Sequence, residues 1–182
     1  MTTASPGLKA AKAALWPFEG ARVHAVIDGA VVAGLPAKLQ AAQDGAIAGW
    51  DCLQRGALGA EAAQRAAYIV ELQPQGPFTD WLLGEVNAGF EGWGVITTSR
   101  QTLLRMREHS RDLAEVRTPE GRRRPWRWWD AELLATLLPT LSPSQLDQVF
   151  APGQQLACPG RTSWTWWQRL DGVIDRQERQ FN

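Results

Sequence analysis

Val23-His24-Ala25-Val26-Ile27-Asp28-Gly29 is the stretch on which the fold turns. Its apolar, β-branched run is short and stops at an Asp-Gly pair that favours a tight turn. The pattern predicts a strand over Val23–Ile27, with His24 inside it and Asp28 at its carboxyl end. A helix-compatible stretch follows over Pro36–Gln43, with Pro36 at the first position, where the missing N–H costs nothing. Strand followed by helix is the opening of an α/β layer architecture.

The alternation continues outward. Trp50–Leu53 reads as a weak strand before Gly56, Ala60–Ala67 as an alanine-rich helix, and Tyr68–Leu72 as a strand closed by Pro74, Gly76 and Pro77. Phe78, Trp81, Leu82, Leu83 and Val86 recur at helical spacing and predict an amphipathic helix over 78–87, while Gly92–Gly94 prepare a strand over Val95–Thr98. Ser99 is expected to cap the next helix, with Leu103, Leu104 and Met106 inward and Arg100, Arg105, Arg107, Glu108 and Arg111 toward water. Leu113–Arg117 and Arg124–Trp129 flank Pro119-Glu120-Gly121 and predict a hairpin. Asp130 is an N-cap for Ala131–Leu138, and Ser142, Pro143 and Gln145 make a cap, first-turn proline and capping box for a helix ending near Phe150.

After Pro152 and Gly153 come Gln155–Cys158, then Trp164–Leu170 and Val173–Gln177 around Asp171-Gly172, a pair favoured in two-residue hairpin turns. A helix over 163–176 is the rival, since Trp164, Trp167, Leu170 and Ile174 share a helical face. The hairpin is preferred because an interior glycine costs a helix about 1 kcal/mol. The expected fold is α/β, a single domain with a mixed sheet, interleaved helices and C-terminal hairpins. Residues 1–22 are expected to form a loosely ordered or weakly helical lead-in, 23–153 the domain, and 154–182 an extension packed on it as a hairpin.

Composition bounds the function. Of 182 residues 45% are hydrophobic and 21% charged, which excludes disorder as the dominant state and suits one domain. The 19 basic residues balance 19 acidic ones, so the whole molecule has no long-range attraction to nucleic acid or an anionic membrane, and any such binding has to be local. The weakly polar stretch Ala25–Ala37 is broken by Asp28 and Pro36, short of the roughly 18 apolar residues of a membrane span. Pro17 and Glu19 interrupt the run Ala13–Trp16 that a signal core would need, so a cytoplasmic protein with no membrane insertion is expected. Cys52 and Cys158 read as two buried, reduced thiols.

Chemistry-bearing motifs do not emerge. The chain has neither a Gly-x-Ser-x-Gly elbow, a phosphate-cradling loop, a dinucleotide fingerprint nor a zinc-binding His-Glu-x-x-His helix. Its two histidines, His24 and His109, stand in no catalytic context and read as structural. Asp28 lies where open α/β sheets place ligands, so an enzyme built on it is one reading, and a turn residue satisfying backbone N–H groups is the simpler one. No catalytic residue, cofactor or metal site is predicted.

Ten tryptophans, six of them in two clusters, are the unusual feature. From Arg100 to Arg127 the chain holds nine arginines against Glu108, Asp112, Glu115 and Glu120, and Arg122–Arg124 run directly into Trp126-Arg127-Trp128-Trp129. On a strand, Trp126 and Trp128 share one face and Arg127 and Trp129 the other, which leaves at least one indole outside the main core. Core packing, a protein-partner surface and a nucleic-acid or anionic-surface binder all use such interleaving. As a partner surface, the contact candidates are Trp126, Arg127, Trp128, Trp164, Trp166 and Trp167, because aromatic and Arg side chains dominate binding hot spots.

Taken in order, Ala25-Val26-Ile27-Asp28, Trp50-Asp51-Cys52-Leu53, Ala67-Tyr68-Ile69-Val70-Glu71-Leu72, Trp81-Leu82-Leu83 and Gly92-Trp93-Gly94-Val95 resemble a known family. His109-Ser110-Arg111, the turn at Pro119-Glu120-Gly121, Arg127-Trp128-Trp129-Asp130 and Leu137-Leu138-Pro139-Thr140-Leu141 continue the resemblance to Gly153. The family is that of adaptor, or chaperone, proteins of the bacterial type VI secretion system, defined by a domain first catalogued as of unknown function. Two departures stand out: Ala131 where the family has proline, and a C-terminal lobe shorter than many members carry. The resemblance implies a non-enzymatic loading factor that binds a secreted effector protein and helps mount it on the trimeric spike protein, with no catalytic residues to carry over. A nucleic-acid or anionic-surface module built on the Arg/Trp hairpin is the alternative.

Overall fold

In a computed structural model describing residues 6–42, 45–118, 120–150 and 154–181, the opening strand lies in the interior of the sheet. This strand, β1 (Arg22–Asp28), is flanked by β3 (Ala67–Leu72) and β4 (Gly94–Ser99), with Ala25 opposite Val70 on one side and Ile96 on the other. β2 (Gly49–Cys52) pairs with β3; β7 (Gln155–Cys158), β8 (Trp164–Leu170) and β9 (Val173–Arg179) extend the sheet from β4. The order is β2-β3-β1-β4-β7-β8-β9, seven strands among the described residues, and every pairing is antiparallel. The α/β class with interleaved helices holds. The connections from β1 to β2 and from β3 to β4 each skip one strand, which a later or earlier strand fills in the opposite direction, so every adjacent pair is antiparallel and the sheet is not mixed in strand direction.

Period-two alternation divides the core into two layers. Ala25, Ile27 and Val70 face one layer with α1 (Pro6–Leu15), α2 (Leu35–Ala42) and α4 (Pro77–Trp81), to which Leu15, Leu39 and Phe78 contribute. Val26, Ile69 and Val95 face the other, with α6 (Leu103–Leu113), α7 (Ala131–Leu137) and α8 (Pro143–Val149) supplying Met106, Leu134 and Leu146. The helix predicted over 78–87 runs from α4 through a π turn at Leu82–Val86 into α5 (Asn87–Gly89). α3 (Ala60–Arg65) buries no residue of its own and delivers the chain to β3.

Several local expectations are corrected. Within the lead-in Pro6–Leu15 form an ordered helix whose Ala11 and Leu15 are buried, because its small residues let it lie against the sheet. Thr102, not Ser99, caps α6, accepting from the Arg105 N–H; Ser99 is buried at the strand end, where its hydroxyl accepts from the Gln101 N–H at 3.1 Å. Leu104 is 58% exposed because the helix turns only Met106, Ser110 and Leu113 fully inward. Asp130 caps α7, and Ser142 with Gln145 forms the capping box of α8. The C-terminal hairpin closes through Asp171 at φ 50° and Gly172 at φ 80°, the pair of positive angles that a two-residue turn needs and a helix forbids. Predicted features at Gln43, Pro119, Pro152 and Gly153 lie outside the described residues. Among those described, no helix is long and apolar enough to cross a membrane.

His109 joins the layers of the second face, its Nε2 lying 2.9 Å from the Val149 carbonyl oxygen as the N–H donor. Burial pushes its pKa below the usual value, so the imidazole is kept neutral instead of charged at the helix end. As pH falls below about 6.5 the unfolded chain takes up this proton first, and the stability His109 contributes at higher pH is lost as pH drops through its folded-state value. His109→Gln retains a donor and removes the titration. Denaturation midpoints between pH 7 and 5 are therefore expected to fall more steeply for the native chain than for the variant.

Candidate functional site

The carboxyl end of β1 is where the Arg/Trp segment meets the sheet. Asp28 is almost fully buried: its Oδ1 accepts the Ala30 N–H at 2.8 Å, and its Oδ2 accepts the Trp129 indole N–H at 3.1 Å and the Arg127 guanidinium. The turn role read from the sequence is present in the Ala30 contact, and the second oxygen is occupied by donors of the chain's own Arg127 and Trp129. The segment 126–129 follows a shorter hairpin than expected, β5 (Glu115–Arg117) and β6 (Arg123–Pro125), and is a turn rather than a strand. Face alternation therefore does not govern it. Trp128 turns wholly into the second core layer and donates its indole N–H to the Ser110 carbonyl at 3.0 Å, while Trp126 and Trp129 stay half-buried and Arg127 is exposed.

The second tryptophan cluster is also core. Trp164 and Trp166 pack in the first layer and Trp167 in the second, with the Arg179 and Arg176 guanidinium groups lying over the Trp166 and Trp167 rings. Trp128, Trp164, Trp166 and Trp167 are buried, at most 4% exposed, and so offer a partner little surface, a correction to the expected contact set. Trp126 and Arg127 are the two expected contacts that remain accessible.

Both border a cleft of about 590 Å³ at the end of β1. Gly29 helps to shape it: the turn after β1 lies so close to the start of β3 that an ideal Cβ at Gly29 would stand 2.5 Å from the Ala66 carbonyl oxygen. That approach brings Arg65 and Ala67 to the cleft wall. Across from them, Arg111 donates to the Cys52 carbonyl at 2.6 Å and the Leu53 carbonyl at 3.3 Å, fastening the exit of β2 to α6 and setting Leu53 and Arg55 in the lining. A second hollow of about 580 Å³ opens on the far side of Trp126, between the β5–β6 hairpin and α7–α8. Trp126 is the partition between the two, and its shielded indole nitrogen makes no hydrogen bond among the described residues.

The family model described as "Domain of unknown function (DUF4123)" matches residues 23–148, more than two thirds of the chain. The chain belongs to the DUF4123 family. No significant match is found among curated proteins or among solved structures. The whole cleft lies within the DUF4123 match, whereas β7–β9 complete the sheet from outside it. Sequence reasoning missed Arg55, Arg65 and Trp129 as parts of this DUF4123 site; the signal available was Gly29, whose lack of a side chain marks a close backbone approach.

Chemically, the site is a cationic rim over an apolar floor. Burial pushes the Cys52 thiol up and the Cys158 thiol up to about 12, so neither supplies a thiolate at neutral pH. Among the described residues no three His, Cys, Asp or Glu gather as metal ligands. The Arg127–Asp28 link is asymmetric, 55% exposed at the cation and 4% at the carboxylate. Arg127→Ala leaves a buried carboxylate without its charged donor and is expected to cost about 1–3 kcal/mol, more than an exposed side chain suggests. Adding Asp28→Asn should recover much of that loss, and a double-mutant cycle by chemical denaturation measures it.

Proposed function

We propose that this DUF4123 domain is a non-enzymatic adaptor, or chaperone, that binds a type VI secretion effector and helps load it onto the trimeric spike protein. The family match over the residues that build the cleft carries the reading. Trp126 and Arg127 belong to the residue types that concentrate binding energy, and they sit beside hollows large enough to receive several side chains. Asp28, the carboxylate at the strand end, has both oxygens engaged by donors from three residues, which suits a strut better than a general base. The adaptor works in the cytoplasm before secretion and uses no cofactor.

Co-purification of the tagged chain from its native bacterium, with partners identified by mass spectrometry, tests the reading. An effector and a spike component are expected; recovery of neither, or turnover of a metabolite by the purified chain, overturns it. The alternative of a nucleic-acid or anionic-surface module is favoured by the exposed Arg117 and Arg122–Arg124 on the β5–β6 hairpin. Binding to an oligonucleotide that falls steeply with salt would select that alternative.

A further inference from the structure

The rim of the cleft holds Arg55, Arg65, Arg111 and Arg127 against the carboxylates of Asp28 and Glu115. Three of these arginines are committed within the fold. Arg127 holds Asp28, Arg111 holds the Cys52 and Leu53 carbonyls, and Arg55 reaches Asp112 at 3.3 Å. Arg65, at the end of α3, is exposed and makes no ion pair among the described residues. Behind this cation the floor is apolar, made by Leu53, Leu58, Ala67 and the rings of Trp126 and Trp129.

We propose that the cleft binds an acidic peptide segment of a partner protein, one carboxylate meeting Arg65 and a neighbouring apolar side chain resting on Leu58 and Trp126. The adaptor reading supplies the kind of partner; the charge and lining of the cleft supply the chemistry. A nucleic-acid strand fits less well. Its evenly spaced phosphates would pass Glu115 and the Asp112 carboxylate beside Arg55, whereas a peptide sets its carboxylates only where cations stand.

The test uses the full chain and a fluorescein-labelled peptide, Asp-Glu-Phe-Leu-Asp-Glu-Phe-Leu-Asp-Glu, followed by fluorescence anisotropy at low salt. The acidic peptide is expected to bind, and its Asn/Gln counterpart to bind at least about tenfold more weakly. Arg65→Glu should weaken binding by about tenfold or more and Arg65→Ala by less, while Arg105→Glu, the same charge change on the exposed side of α6 outside the cleft, should change it less than about twofold. Circular dichroism confirms that each variant is folded. Equal losses at Arg65 and Arg105, equal binding of the amide peptide, no binding at all, or tighter Arg65-dependent binding of a single-stranded oligonucleotide overturns the proposal. Peptide capture without an effector in the co-purification sinks the adaptor reading and leaves the cleft chemistry standing. Effector capture indifferent to Arg65→Glu does the reverse.

Discussion

Trp128→Ala is expected to bring the domain close to unfolding, with a loss of about 3–5 kcal/mol out of a total on the order of 5–15. The ring is fully buried among α6, α7 and the second face of the sheet, and its N–H is bonded to the Ser110 carbonyl, so truncation opens a large hole and removes a buried donor. A thermal melt should drop by about 10 °C or more at this chain length. Trp126→Ala is the comparison that gives the result meaning, because its half-buried ring divides two open hollows instead of filling a core. Trp126→Ala should melt within a few degrees of the native chain while weakening partner capture. A Trp128→Ala variant as stable as the native chain would contradict the burial of this ring in the second core layer.

Gly94→Ala should be nearly as damaging, at about 4 kcal/mol or more by chemical denaturation. An ideal Cβ at Gly94 would lie 1.9 Å from the Val26 carbonyl oxygen, and both residues belong to the β1–β4 pairing inside the sheet, where neither backbone can withdraw without breaking its ladder. At Gly84 in the π turn nothing stands within 4 Å of the corresponding position. Gly84→Ala is therefore expected to be neutral or to stabilise by up to about 1 kcal/mol. Equal effects at the two glycines would mean that backbone entropy, not crowding, sets the cost.

What the sequence made legible follows from which interactions are local. The caps at Asp130 and Ser142 and the Asp171-Gly172 turn are decided within a few residues, and they stand as read. The strands β1, β3 and β4 announce themselves because strands buried on both faces need unbroken apolar runs. Burial of the tryptophans was not legible, since an indole suits a core and a surface equally and only the packing partners decide. Trp164 and Trp167 share a helical face in the sequence but fall on opposite faces of the sheet once the hairpin forms. The cleft was hidden for a different reason: Asp28, Arg65 and Arg127 are brought together by three separate parts of the chain, and spacing along a sequence carries no information about such a meeting.

The placement of β1 between β3 and β4 has a cost during synthesis. Both of its neighbours leave the ribosome after it, the nearer beginning only at Ala67, so at about 5–20 residues per second the run from Val23 to Ile27 waits for several seconds with both hydrogen-bonding edges open. This apolar strand is thus made before either neighbour that covers its edges, and for the nascent chain that interval is the window in which aggregation competes with folding.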